Sequence, residues 1–116
     1  MRMWMVPTQC LCRQHLLGEH SEIHKHRHNF EKGHSIAGRI SPVVTVEPAS
    51  MEKRHDELVN EMLERGYNHK SPYSQPDLSK YPGIEDVHVD VNLSLDELSR
   101  RCPACAERIA LFRSAQ

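Results

Sequence analysis

RQHLLGEHSEIHKHRHNFEKG, residues 13–33, carries the period that decides the fold. Leu16, Ile23 and Phe30 recur every seven residues. On a helix turning about 100° per residue they form one narrow apolar stripe. His15 and Glu22 are also seven apart and share a face about 100° away from that stripe, so they point sideways from the core. A helix can start with Thr8 or Gln9 as its cap and run to about residue 32, where Gly33 is a natural stop.

Upstream, residues 1–12 read as an extended arm, because Pro7 cannot occupy a helix interior. Downstream, residues 33–50 hold two glycines, two prolines and the run Val43-Val44-Thr45-Val46, which fits loop with one short strand. Ser50 can cap a second helix over 51–65, with Leu58, Val59 and Met62 on one side and Gly66 closing it. Residues 67–93 contain three prolines and are mostly irregular, with a short extended piece at 84–91. Ser94 and Glu97 have the spacing of a capping box opening a third helix. Pro103 must kink or restart that helix, and 104–112 is helical by composition. The expectation is an all-α fold, a compact single domain over residues 1–116 of three main helices with long irregular loops.

With 116 residues there is room for one domain. Aromatic residues make up 5% and mean hydropathy is −0.64, so the core is thin and a dense β-sandwich is excluded. Nothing approaches the roughly 20 apolar residues of a membrane span. MRMWMVPTQCLCRQ lacks the apolar run of a signal peptide. A cytoplasmic chain with reduced cysteines is therefore expected. Net charge is −1, but residues 1–45 carry six Lys/Arg against three Asp/Glu and six of the nine histidines. That basic half could face phosphates.

Two sets of metal-ligand residues stand out. Cys10-x-Cys12 in the arm and Cys102-Pro-Ala-Cys105 near the end could together hold a structural zinc through four thiolates, tying the last helix to the arm. Buried free thiols and a redox CxxC fit the same residues. His20, His24 and His28 are spaced i, i+4, i+8, so two neighbours could grip zinc from one helix face. Such tracts also occur on solvated helices. A metal-dependent hydrolase built on the tract is one rival reading.

The amino terminus offers different chemistry. Arg2 is too large for methionine removal, so Met1 is expected to remain. An α-amine has a pKa of about 7.7–8.0, which leaves part of it neutral and nucleophilic at physiological pH. A helix carboxylate close by, Glu22, could stabilise a cationic intermediate and move protons.

The arm and first helix, MRMW…RQHLLGEHSEIHK, resemble the phage-type pyrimidine-dimer DNA glycosylase/AP-lyase (endonuclease V) family. The spacing from residue 1 to Gln14-His15-Leu16, Glu19 and Glu22 matches without a gap. Ile40-Ser41-Pro42 and the stretches around Glu57-Leu58 and Glu64-Arg65-Gly66-Tyr67-Asn68 follow in order, so the likeness covers about residues 1–70. The resemblance implies an all-α enzyme that excises a damaged base. Met1 would be the nucleophile and Glu22 the catalytic carboxylate, while Arg2, Gln14, His15 and Lys25 would contact the DNA. No catalytic metal or redox cofactor would be required, and the partner would be double-stranded DNA met by a monomer. Ser21 stands where the family usually has an arginine, and the tail ACAERIALFRSAQ lacks the family's aromatic, basic end. The substrate is accordingly a pyrimidine dimer or another damaged or modified base. A non-enzymatic, zinc-stapled DNA-binding module of the same fold is the alternative.

Overall fold

The computed structural model describes residues 2–69 and 72–116. It is all-α, with no strand among the described residues: α1 (Arg13–Glu31), the short α2 (Ala37–Ile40), α3 (Met51–Glu64), α4 (Val91–Arg101) and α5 (Pro103–Ser114). Three single 3₁₀ turns punctuate the loops, at Thr8–Cys10, Pro48–Ser50 and Ile84–Asp86.

α1 starts at Arg13 rather than Thr8. Cys12 takes the N-cap position in extended backbone (φ −69°, ψ 169°), and residues 8–10 form the tighter turn before it. Leu16, Ile23 and Phe30 are buried, as their seven-residue recurrence predicts. The stripe also contains Glu19, 2% exposed, which a reading of apolar residues alone passes over. On α3 the buried positions are Met51, Arg54, His55, Leu58 and Met62, again one helical face with polar members inside it.

Both long helices end in the same way. Gly33 (φ 75°) and Gly66 (φ 84°) take the left-handed conformation. In each case the glycine amide and the amide after it bond back to the last turn: Gly33 to Phe30 and His34 to Asn29, Gly66 to Leu63 and Tyr67 to Met62. This is the Schellman pattern, which satisfies carbonyls the helix leaves orphaned and which glycine adopts without a Cβ penalty.

Four further expectations are revised. Ile84–Asp86 forms a 3₁₀ turn where the sequence predicts an extended piece over 84–91. The run 43–46 forms no strand; the amide of Met3 merely donates to the Thr45 carbonyl (2.8 Å), laying the arm beside it. Ser50 does occupy the N-cap position of α3, but its hydroxyl donates to Glu47 at 2.6 Å and makes no side-chain cap. α4 begins at Val91, where Asp90 accepts from the Leu93 amide, so Ser94 lies buried inside the helix and not at its cap. Pro103 does restart the chain, as the first residue of α5 after the cap Cys102.

The arm is fixed by arginines reaching its carbonyls. Arg54 donates to Val6 (2.7 Å), Arg65 to Leu11 (2.7 Å) and Arg108 to Gln9 (3.1 Å). Met3, Trp4, Val6 and Leu11 thereby enter the core between α1, α3 and α5. A thin-cored chain gains much of its apolar burial from this arm, at about 1.5–3 kcal/mol for each large side chain fully withdrawn from water.

Candidate functional site

A groove of about 410 Å³ opens between the arm and the outward face of α1, lined by Arg2, Trp4, Gln14, His15, Gly18, Glu19 and Glu22. Four of the six residues singled out for catalysis or DNA contact therefore share one concavity. Lys25 is exposed on α1 and is not part of its wall, and Met1 lies outside the described residues. The helical period explains the grouping: Gln14, Gly18 and Glu22 are spaced four apart and His15 lies beside them, all away from the buried stripe.

The two glutamates have different surroundings. Glu19 is fully withdrawn: Arg54 donates to it from Nε (2.6 Å) and from its terminal nitrogen (3.0 Å). Its acceptor capacity is committed to α3. Glu22 keeps 38% of its side chain exposed and pairs with His26 at 3.1 Å, one turn along the helix. Arg2 lies over the Trp4 ring at 4.0 Å and is paired with Glu97 of α4. Although burial opposes it, Glu97 is held below the usual carboxylate range by hydrogen bonds from Arg101 and Arg2.

Behind the groove wall is a cysteine–histidine group. Ligand atoms of Cys12, His15, Cys102 and Cys105 all lie within 4.8 Å of one another. His15 Nδ1 is 3.2 Å from Cys12 Sγ and 3.4 Å from Cys105 Sγ, and the sulfurs of Cys12 and Cys102 are 3.9 Å apart. A tetrahedral zinc with bonds of about 2.3 Å to sulfur and 2.0–2.1 Å to nitrogen needs edges of about 3.5–3.8 Å. The group is close to that shape. Backbone amides already point at the sulfurs, Cys12 to Cys105 (3.3 Å) and Cys105 to Cys102 (3.4 Å). Burial opposes ionisation of Cys102, yet the amides of Cys105 and Ala104 and the neighbouring thiols hold it below the usual thiol range. Burial pushes Cys105 up to about 12. Burial, and then the charge of Arg101, lowers His15, keeping its ring in the neutral form that ligates.

The sequence pairs Cys10 with Cys12 for this ion. In the structure Cys10 is buried in the core cluster and is not one of the gathered ligands; His15, expected at the DNA, takes the fourth corner. The reason is the turn at Thr8–Cys10, which directs Cys10 into the core before Cys12 caps α1. With Cys12 at the cap, His15 is three residues on and returns to the same side, a spacing that makes it findable.

A second group lies in the α1–α3 interface, where His20, His24, His55 and His69 converge. His28, spaced with His20 and His24, is exposed and outside it. Burial, then the charges of His24, His55 and His69, pushes His20 down to about 4. Burial, then His55 and His69, lowers His24; burial, then His55, lowers His69 against the opposing charge of Asp56. His55 could have been read from the α3 stripe Met51, His55, Leu58, Met62, while His69 lies in a loop that carries no periodic signal.

The family model for pyrimidine dimer DNA glycosylases matches residues 1–75, which is more than half of the chain. The chain belongs to that family. Comparison with curated proteins and with solved structures gave no match to either. The matched stretch of this glycosylase-family chain contains the arm, α1, α2 and α3, hence the whole groove and all four converging histidines. Cys102 and Cys105 lie beyond it, on the α4–α5 unit.

Proposed function

We propose that this member of the pyrimidine dimer DNA glycosylase family excises a damaged base, a pyrimidine dimer first of all, and then nicks the strand. The reaction begins when the α-amine of Met1 attacks C1′ of the damaged nucleotide. The C1′–N bond breaks, the base leaves with its electron pair and takes up a proton, and the ring-opened sugar stays on the amine as a protonated Schiff base. Removal of a C2′ proton expels the 3′ phosphate by β-elimination, and water releases the amine from the imine. Glu22 stabilises the cationic intermediate and relays these protons. Arg2, Gln14, His15 and Lys25 contact the DNA around the lesion, whose bases must leave the stack or be exposed by a kink for the amine to reach C1′.

The observation that carries this reading is the groove in which Arg2, Gln14, His15 and Glu22 meet beside the start of the arm. Between the two carboxylates Glu22 is the one on a partly exposed side chain, since Glu19 is buried with Arg54 on both its oxygens. A structural zinc on Cys12, His15, Cys102 and Cys105 would fix the arm, α1 and α5 together. With its Nδ1 on the ion, His15 would carry its proton on Nε2, a fixed donor towards the groove. All four corners belong to the protein, so this ion would hold structure and leave the chemistry to the amine. Incubating duplexes that carry single defined lesions with the protein, with or without a chelator present, tests the reading. A nick at a pyrimidine dimer is expected, and intact strands for every lesion, dimer included, would refute it.

A further inference from the structure

We infer that His20, His24, His55 and His69 form a second, all-nitrogen site for a divalent transition-metal ion, Zn²⁺ by its chemistry, joining α1 to α3 and to the loop after α3. The site is separate from the cysteine–histidine group and does not rest on the proposed glycosylase reaction.

One ring nitrogen from each of the four histidines lies within 4.8 Å of the others. The Nε2 atoms of His24 and His55 are 3.0 Å apart, close to the edge of about 3.3 Å for a tetrahedron of imidazoles on zinc. A hydrogen bond between those two nitrogens accounts for His24 and His55 but not for the other two rings. Nε2 of His20 and Nε2 of His69 are buried without a hydrogen-bond partner, so each polar nitrogen has lost its water and gained nothing in return. An ion taking four lone pairs leaves neither without a partner.

The surroundings hold the rings in the orientation an ion needs. His55 Nδ1 lies 3.1 Å from Asp56 Oδ1. A proton on Nδ1, donated to that carboxylate, leaves the Nε2 lone pair directed inward, the usual arrangement behind a metal-bound imidazole. Tyr73 stacks on His55 with ring centres 4.8 Å apart and meets His24 edge-on at 5.2 Å, while its hydroxyl donates to the Ile23 carbonyl. Four neutral imidazoles with no oxygen ligand exclude Ca²⁺ and Mg²⁺ and suit zinc and its neighbours. Every corner is filled by the protein, which marks a structural ion rather than one that activates water.

The test uses the full chain, loaded with Zn²⁺ alone and desalted. X-ray absorption at the zinc edge should find a shell in which nitrogen outnumbers sulfur, three sulfurs and five nitrogens when both groups are filled. A shell of three sulfurs and one nitrogen only would overturn the site, and this measurement needs no variant. Zinc content should fall by one ion per chain in His69→Ala and stay unchanged in His28→Ala, which removes an exposed histidine from the same helix. Equal loss in both would show an ion held loosely on the helix surface, and the assignment would fail.

Discussion

The guanidinium of Arg54 holds the carboxylate of Glu19 at two points, 2.6 Å and 3.0 Å, inside the interface of α1 and α3. A third nitrogen contact reaches the Val6 carbonyl, so one buried cation joins two helices and the arm. The pair is charged, yet it occupies positions in the core stripes of both helices.

Removing one member leaves the other charge buried and unpaired, a change that typically costs about 3–5 kcal/mol. Glu19→Ala should lower unfolding free energy by about that amount in urea titration. Glu57→Gln, which touches the same arginine from a position 43% exposed, should change it by less than about 1 kcal/mol. Replacing both partners, Glu19→Leu with Arg54→Met, should recover most of the loss; no recovery would mean that the pair does more than satisfy itself.

The cysteine–histidine group should set metal content in a residue-specific way. Cys102→Ser combined with Cys105→Ser should cost one zinc per chain by elemental mass spectrometry. Cys10→Ser should cost none, because Cys10 is outside the gathered ligands. Equal losses would return Cys10 to the ion and contradict the geometry.

Stability should depend on pH through Glu97. Its folded-state pKa is depressed by Arg101 and Arg2, so its contribution is fully present above the unfolded value of about 4.3 and is lost as pH falls through the lower folded value. Melting temperatures of the wild type and Glu97→Gln should therefore differ at about pH 7 and converge only once pH has fallen below the unfolded value and through the depressed folded one. A difference that persists in acid would mean that the side chain acts by packing and not by charge.

The all-α class, the seven-residue stripe of α1, both glycine stops and the restart at Pro103 were legible because each rests on local chemistry: a period, a left-handed glycine, a missing amide. The groove was legible in part, since residues four apart on one helix must share a side. What escaped depends on partners distant in sequence. Glu19 reads as a surface acid until Arg54 of α3 meets it, and Ser94 reads as a cap until Asp90 takes that role four residues earlier. His15 could be drawn to the DNA or to the cysteines; only the return of α5 to the arm brings Cys102 and Cys105 to its Nδ1.

The central claim is that an amine at the start of the arm reacts with deoxyribose beside Glu22. Borohydride reduction during incubation with abasic-site DNA tests it most directly, by converting a Schiff base into a stable secondary amine. The expected result is a covalent protein–DNA adduct that mass spectrometry assigns to Met1, abolished by prior acetylation of the α-amine. In Glu22→Gln, base release and nicking of dimer-containing DNA should slow by about 10²–10⁴-fold while the helical content of the protein is unchanged. No adduct, or one mapped to a lysine and indifferent to acetylation of the terminus, would contradict it.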